Sequence, residues 1–174
     1  MAMMPSRFTR LVVANTALPT GDQPMGQPFE DWRSYWQSVE MFSAGRIVSS
    51  GTVSKLTDEE FAAYDAPFPD ASFQMGAREF PLLVPDRPDD PSAAANRAAW
   101  EVLRGLDLPV LTVFGGEDNI MAGVDRVFQT QMPGAAGQPD TVLPGVGHFI
   151  QEDPGPELAL LIVTGLRWNA YALL

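Results

Sequence analysis

The stretch LPVLTVFGGED (residues 108–118) is a hydrophobic run, rich in β-branched residues, that breaks into a Gly-Gly-acid turn. It does not alternate between apolar and polar positions. That is the pattern of a strand covered on both faces, as in parallel sheets. Working outward, VDRVFQTQMPG (124–134) reads as a helix ended by Pro-Gly, and DTVLPGVGH (140–148) as a second strand and turn. GPELALLIVTGL (155–166) then reads as a closing apolar helix. Far upstream, RLVVANT (10–16) is another short apolar run, expected as a buried strand and closed by the loop LPTGDQP. Strands and helices in this order predict an α/β fold with a parallel sheet.

Between these core segments lies a region of different character. PFEDWRSYWQSVE (28–40) places Phe29, Trp32, Trp36 and Val39 at helical spacing, with Pro28 in the first turn, where its missing N–H costs nothing. TDEEFAAYD (57–65) carries a capping box, Thr57 with Glu60. APFPDASFQMGAREFPLLVPDRPDDP (66–91) is dense in proline and aromatics and reads as loop, short helix and proline-studded exit. NRAAWEVLRGLD (96–107) is an amphipathic helix with Gly105 as its stop. The expected organisation is a core strand in 1–18, a helical insertion in 19–90 and the rest of the core in 91–174. A chain that opens so close to a core strand is expected to lack a segment upstream.

Composition narrows the function classes. With 174 residues and 45% hydrophobic content, the chain can bury a real core. Acids outnumber bases 22 to 11, for a formal charge of −11, which disfavours nucleic acid and anionic membrane as partners. No cysteine is present, so disulfides, thiolate metal sites and cysteine nucleophiles are excluded, in keeping with a cytoplasmic setting. One histidine cannot build a histidine-rich metal cage. No metal and no cofactor is expected.

Ligands of open α/β sheets bind beyond the carboxyl ends of the strands. Two turns there carry reactive groups: Asp118 after one strand and His148, the sole histidine, after the next. An acid that accepts the Nδ1 proton, followed later in the chain by the imidazole, is the second half of a nucleophile–acid–histidine triad. Each residue also has a plainer reading. A lone loop histidine is more often solvated, and Asp118 could cap the segment that follows it.

RLVVANTALPTGD, AYDAPFPDASFQMGAREFPLLVP, NRAAWEVL and the GGED and PGVGHFIQED turns together resemble the haloalkane dehalogenases of the α/β-hydrolase superfamily, from about residue 5 to 165. The resemblance implies an α/β-hydrolase fold, here a partial parallel sheet interrupted by a helical cap. It implies Asp118 as the triad acid and His148 as the base that activates hydrolytic water. It also implies Trp32 as the cap tryptophan that grips halide, an indole N–H being a donor that offers no competing nucleophile. Phe29, Ala77, Phe80, Pro81, Val84, Ile120 and Met121 match pocket-lining positions. Without the resemblance, core packing is the plainer reading of Trp32, and Trp36 reads as packing either way. Family members place the acid after the strand before the cap or after the strand that follows it. Asn15 occupies the first location, so the resemblance is to the branch with the later acid.

The family's nucleophile is an aspartate on a Gly-rich elbow, with a second halide-binding tryptophan just after it. No G-x-D-x-G or G-x-S-x-G precedes Arg10. The expectation is a C-terminal portion holding two of three triad members and inactive alone, acting with haloalkane, water and halide. Self-association through the open sheet edge is a further expectation. Alternatives are an epoxide hydrolase of the same superfamily, with Tyr35 and Tyr64 in the cap region, or a non-catalytic truncated product that needs a partner fragment.

Overall fold

In the computed structural model, residues 1–168 are described. Two compact units are present. One comprises Met1–Ala17 with the chain from Ala98 onward, and the other is Leu18–Arg97.

The first unit holds three strands: β1 (Leu11–Ala14), β2 (Val110–Gly115) and β3 (Asp140–Leu143). They lie side by side in chain order and every pairing is parallel. Val13 sits opposite Thr112, and Gly115 opposite Leu143. The unbroken apolar pattern of β2 has its counterpart in burial at all six positions, as befits the central strand. β1 departs from expectation, because only Val13 is buried along it. It is a margin of the described sheet, with a strand on one side only.

Leu111 and Val113 point to one face, where they join Leu143, Val146 and Ile150 in a cluster, with Leu158 and Leu161 packed against it. The opposite face meets the helix Asp125–Gln131, whose Gln129 donates to the Thr112 hydroxyl at 3.1 Å. There Phe128 stacks on Trp100 at 5.3 Å. The closing helix spans Gly155–Trp168. Among the described residues no helix is long and apolar enough to cross a membrane.

The second unit is helical: α1 (Gln27–Ser38), α2 (Ala44–Ser50), α3 (Asp58–Asp65) and α4 (Met75–Glu79), with 3₁₀ turns at Ala71–Gln74 and Phe80–Leu83. Along α1, Phe29 and Trp36 are buried seven residues apart on one face. The capping box of α3 forms as the sequence requires. α2 is a helix the periodicity does not announce. Ser43 caps it by accepting from the Arg46 amide, while the Asp65 carboxylate accepts from the Ser43 hydroxyl and the Gly45 amide. Gln74, fully buried, exchanges two hydrogen bonds with the main chain of Phe42.

The next helix, α5 (Ala93–Arg104), begins three residues before its expected start. The division between the two compact units falls inside it, after Arg97. The reason lies in its first turns. Asn96 donates to the Pro19 carbonyl, and Arg97 to the carbonyls of Thr20 and Pro88, which ties this end to the second unit.

Candidate functional site

At the end of β2 the chain turns away from the sheet through Gly115, Gly116 and Glu117. The Gly116 amide donates to the Leu143 carbonyl at 2.8 Å and the Glu117 amide to the Val146 carbonyl at 2.9 Å. The turn after β2 is thereby stitched to the turn after β3. Such closeness requires glycine: a Cβ on Gly115 would meet the carbonyl oxygens of Val146 and Gly147 at 2.5 Å. Gly115→Ala is therefore expected to destabilise the protein by about 1–3 kcal/mol, the usual range for overpacking against atoms that cannot swing aside. A denaturation midpoint indistinguishable from that of the unaltered chain would refute this close approach.

Asp118 ends the turn with a side chain only 1% exposed, and its two oxygens do different work. Oδ1 accepts from the amides of Ile120 and Met121 at 2.9 and 3.1 Å. Oδ2 lies 2.9 Å from Nδ1 of His148. The capping reading and the triad reading of this residue thus describe one carboxylate, with one oxygen for each. Burial by itself pushes the Asp118 carboxyl up. The hydrogen bond and charge of His148, with the amides of Ile120 and Met121, outweigh it and hold the group below the ordinary carboxylate range. At neutral pH the side chain is an anion fixed in direction.

His148 keeps 26% of its side chain exposed and rests edge-on against Phe149. With Nδ1 directed at Asp118, Nε2 is the nitrogen left to handle a substrate or water proton. Two contacts that sequence reasoning missed hold this turn. The Asp153 carboxylate accepts from the Gly147 amide at 2.7 Å, and Asn15 at the end of β1 bonds to the carbonyls of Gly147 and His148. The only sequence signal for the first is the acidic pair that follows the histidine.

Of the expected pocket positions in this unit, Ile120 and Met121 are half-buried. Met121 and Asp118 border a cleft of about 220 Å³ that also reaches Phe114 and Val142. In the helical unit, Trp32 is half-buried between Phe29 and Trp36, with ring centroids 5.6 and 5.7 Å away. Trp36 is buried against Phe42, the packing role expected of it. Phe29 and Pro81 are buried, Ala77 and Val84 half-buried, and Phe80 is 71% exposed.

No family model matches the chain. Individual proteins do. A haloalkane dehalogenase of Psychrobacter cryohalolentis is 46% identical over 165 residues, covering 95% of this chain and 54% of that protein. One of Mycobacterium marinum is 49% identical over 157 residues, covering 90% and 52%. The chain spans about half the length of the curated relatives it matches. Among solved structures, the tetrameric haloalkane dehalogenase of Paraglaciecola agarilytica superposes with a TM-score of 0.78 at 25% identity, over 90% of this chain and 52% of that one. A haloalkane dehalogenase of Agrobacterium tumefaciens superposes with a TM-score of 0.68 at 16% identity, which supports the fold alone. The chain is thus a homologue of the haloalkane dehalogenases over about half their length, with a parallel sheet and helices of the α/β-hydrolase fold.

Proposed function

We propose that the chain supplies the acid and the base for hydrolysis of carbon–halogen bonds in small haloalkanes. In this reaction a carboxylate displaces halide at carbon and becomes an alkyl ester. His148 Nε2 then takes a proton from water as the water oxygen attacks the ester carbonyl. Collapse releases the alcohol and restores the carboxylate, and the proton on the imidazole leaves to solvent alongside the halide. Asp118 fixes the tautomer with Nδ1 protonated and stabilises the imidazolium. The observation that carries this reading is the 2.9 Å contact between a buried, doubly anchored Asp118 and the only histidine of the chain.

In the same reading Trp32 donates its indole N–H to the halide. Phe29, Ala77, Phe80, Pro81 and Val84 of the helical unit, and Ile120 and Met121 of the sheet unit, are the positions that the resemblance assigns to substrate lining. These roles are supported by the resemblance and by the identity to the relatives above. The displacing carboxylate comes from the part of the relatives' length that this chain does not span. A cytoplasmic site of action belongs to the reading as well, supported by a cysteine-free composition.

The two chemical steps need different groups, which makes them separable. Displacement requires no base, whereas ester hydrolysis does. When the chain is joined to the nucleophile-bearing half of a relative, His148→Ala is expected to release one equivalent of halide from 1-bromobutane and then stop, with the alkyl group left on the protein. Halide release and intact-mass spectrometry read this directly. Sustained turnover with no adduct would remove His148 from the role of base.

A further inference from the structure

Asn15 follows the last residue of β1 and is the one non-glycine among the described residues with a left-handed backbone, at φ 36°. Residues with a Cβ adopt that region at a cost, and persist there where surrounding bonds hold them. Here the bonds are explicit. The side-chain oxygen accepts from the Gly115 amide at 2.7 Å, at the end of β2. The side-chain nitrogen donates to the carbonyl of Gly147 at 2.7 Å and to that of His148 at 2.8 Å. One amide at the end of β1 therefore reaches the end of β2 and the turn after β3, and it uses its oxygen and its nitrogen to do so.

We propose that Asn15 is a positioning residue for His148, setting the direction of the imidazole by holding the peptide carbonyls on either side of the histidine, those of Gly147 and His148. The inference deepens the reading of His148 as a base and rests on it. A side chain's direction follows its own backbone, and His148 sits in a partly exposed turn directly after Gly147, where the chain is freest to pivot. The Asp153 bond holds the amide of Gly147. Asn15 holds the two carbonyls that follow it, including that of the histidine itself. An isosteric carboxylate could accept from Gly115 yet would face two carbonyl oxygens with no donor, so the amide is the group this location requires.

The sole histidine makes the test clean. In the 174-residue chain, the imidazole Nδ1–H resonance of His148 reports the Asp118 contact, and Asp118→Asn identifies it by removing it. Asn15→Gly accommodates the left-handed backbone and deletes only the side-chain bonds. It is expected to accelerate exchange of the imidazole proton by about tenfold or more, since the loss of even one of the three bonds, at ordinary net strength, implies that factor. The amides of Leu111 and Val113 in the core of β2 should accelerate far less. Equal acceleration of both classes, or none of the imidazole proton, would mean that Asn15 is general mortar and overturn the proposal.

Should Asn15→Gly fail to fold, the unaltered chain still decides. Asn15 side-chain protons that show couplings across the hydrogen bonds to the Gly147 and His148 carbonyl carbons support the clamp, and exchange at the rate of a free amide defeats it. A missing imidazole resonance in the unaltered chain would count against the Asp118–His148 pair, while the Asn15 couplings would still judge the clamp separately.

Discussion

Asp118→Asn is expected to lower haloalkane hydrolysis by about 10³–10⁴-fold in the chain joined to a relative's nucleophile-bearing half, with the fold unchanged. The reason is the division of labour between the two carboxylate oxygens. An asparagine can keep its oxygen where Oδ1 accepts from the amides of Ile120 and Met121, because those two donors demand an acceptor there. Its NH₂ group then occupies the place of Oδ2 and points at Nδ1 of His148. A donor facing Nδ1 forces the imidazole into the tautomer protonated on Nε2. The nitrogen that must take a proton from water is then already protonated. Displacement needs no base, so the first equivalent of halide should still appear at its normal rate. Stopped-flow halide detection separates the burst from the steady rate. An unaltered steady rate would show that the contact orients nothing of consequence.

The fold's central feature could be read from residues 108–118, because burial on both faces is written into the run of apolar residues itself. Asp118 and His148 were legible for a related reason: each lies in a glycine-bearing turn that follows a strand, Asp118 after β2 and His148 after β3. What could not be read depends on contacts distant in sequence. α2 is a short segment containing Gly45, and its helix is secured from outside by Asp65. A Cβ on Gly45 would strike the Phe61 carbonyl at 2.6 Å, so even its composition answers to a neighbouring helix. Asn15 is the sharper case. In sequence it is an amide at a strand end, and its partners lie 100 to 133 positions away. A halide-binding role for Trp32 rests on resemblance alone, since an indole on an amphipathic helix face looks the same whether it packs or binds.

The 174-residue chain by itself is expected to release no halide catalytically from 1,2-dibromoethane or 1-bromobutane, and the same chain joined to a relative's nucleophile-bearing half is expected to do so. Attack at carbon requires a carboxylate held in line with the carbon–halogen bond, and positioning of this kind is worth about 7–11 kcal/mol. No G-x-D-x-G or G-x-S-x-G occurs in the sequence. The carboxylates on the two site turns and beside Trp32 are engaged or exposed. Asp118 gives one oxygen to two amides and the other to His148. Asp153 holds the Gly147 amide. Glu117 adjoins the acid on an exposed turn, and Asp31 accepts from Gln27 one turn earlier on the exposed side of α1. An imidazole with its acid can activate water, but loss of a triad nucleophile costs about 10⁶ in rate in hydrolases of this logic. Steady turnover by the chain alone, abolished by His148→Ala, would mean that one of these carboxylates attacks carbon after all. Activity confined to the joined protein, with the His148→Ala form arrested at a single equivalent of halide, would assign displacement to the supplied half and hydrolysis to this one.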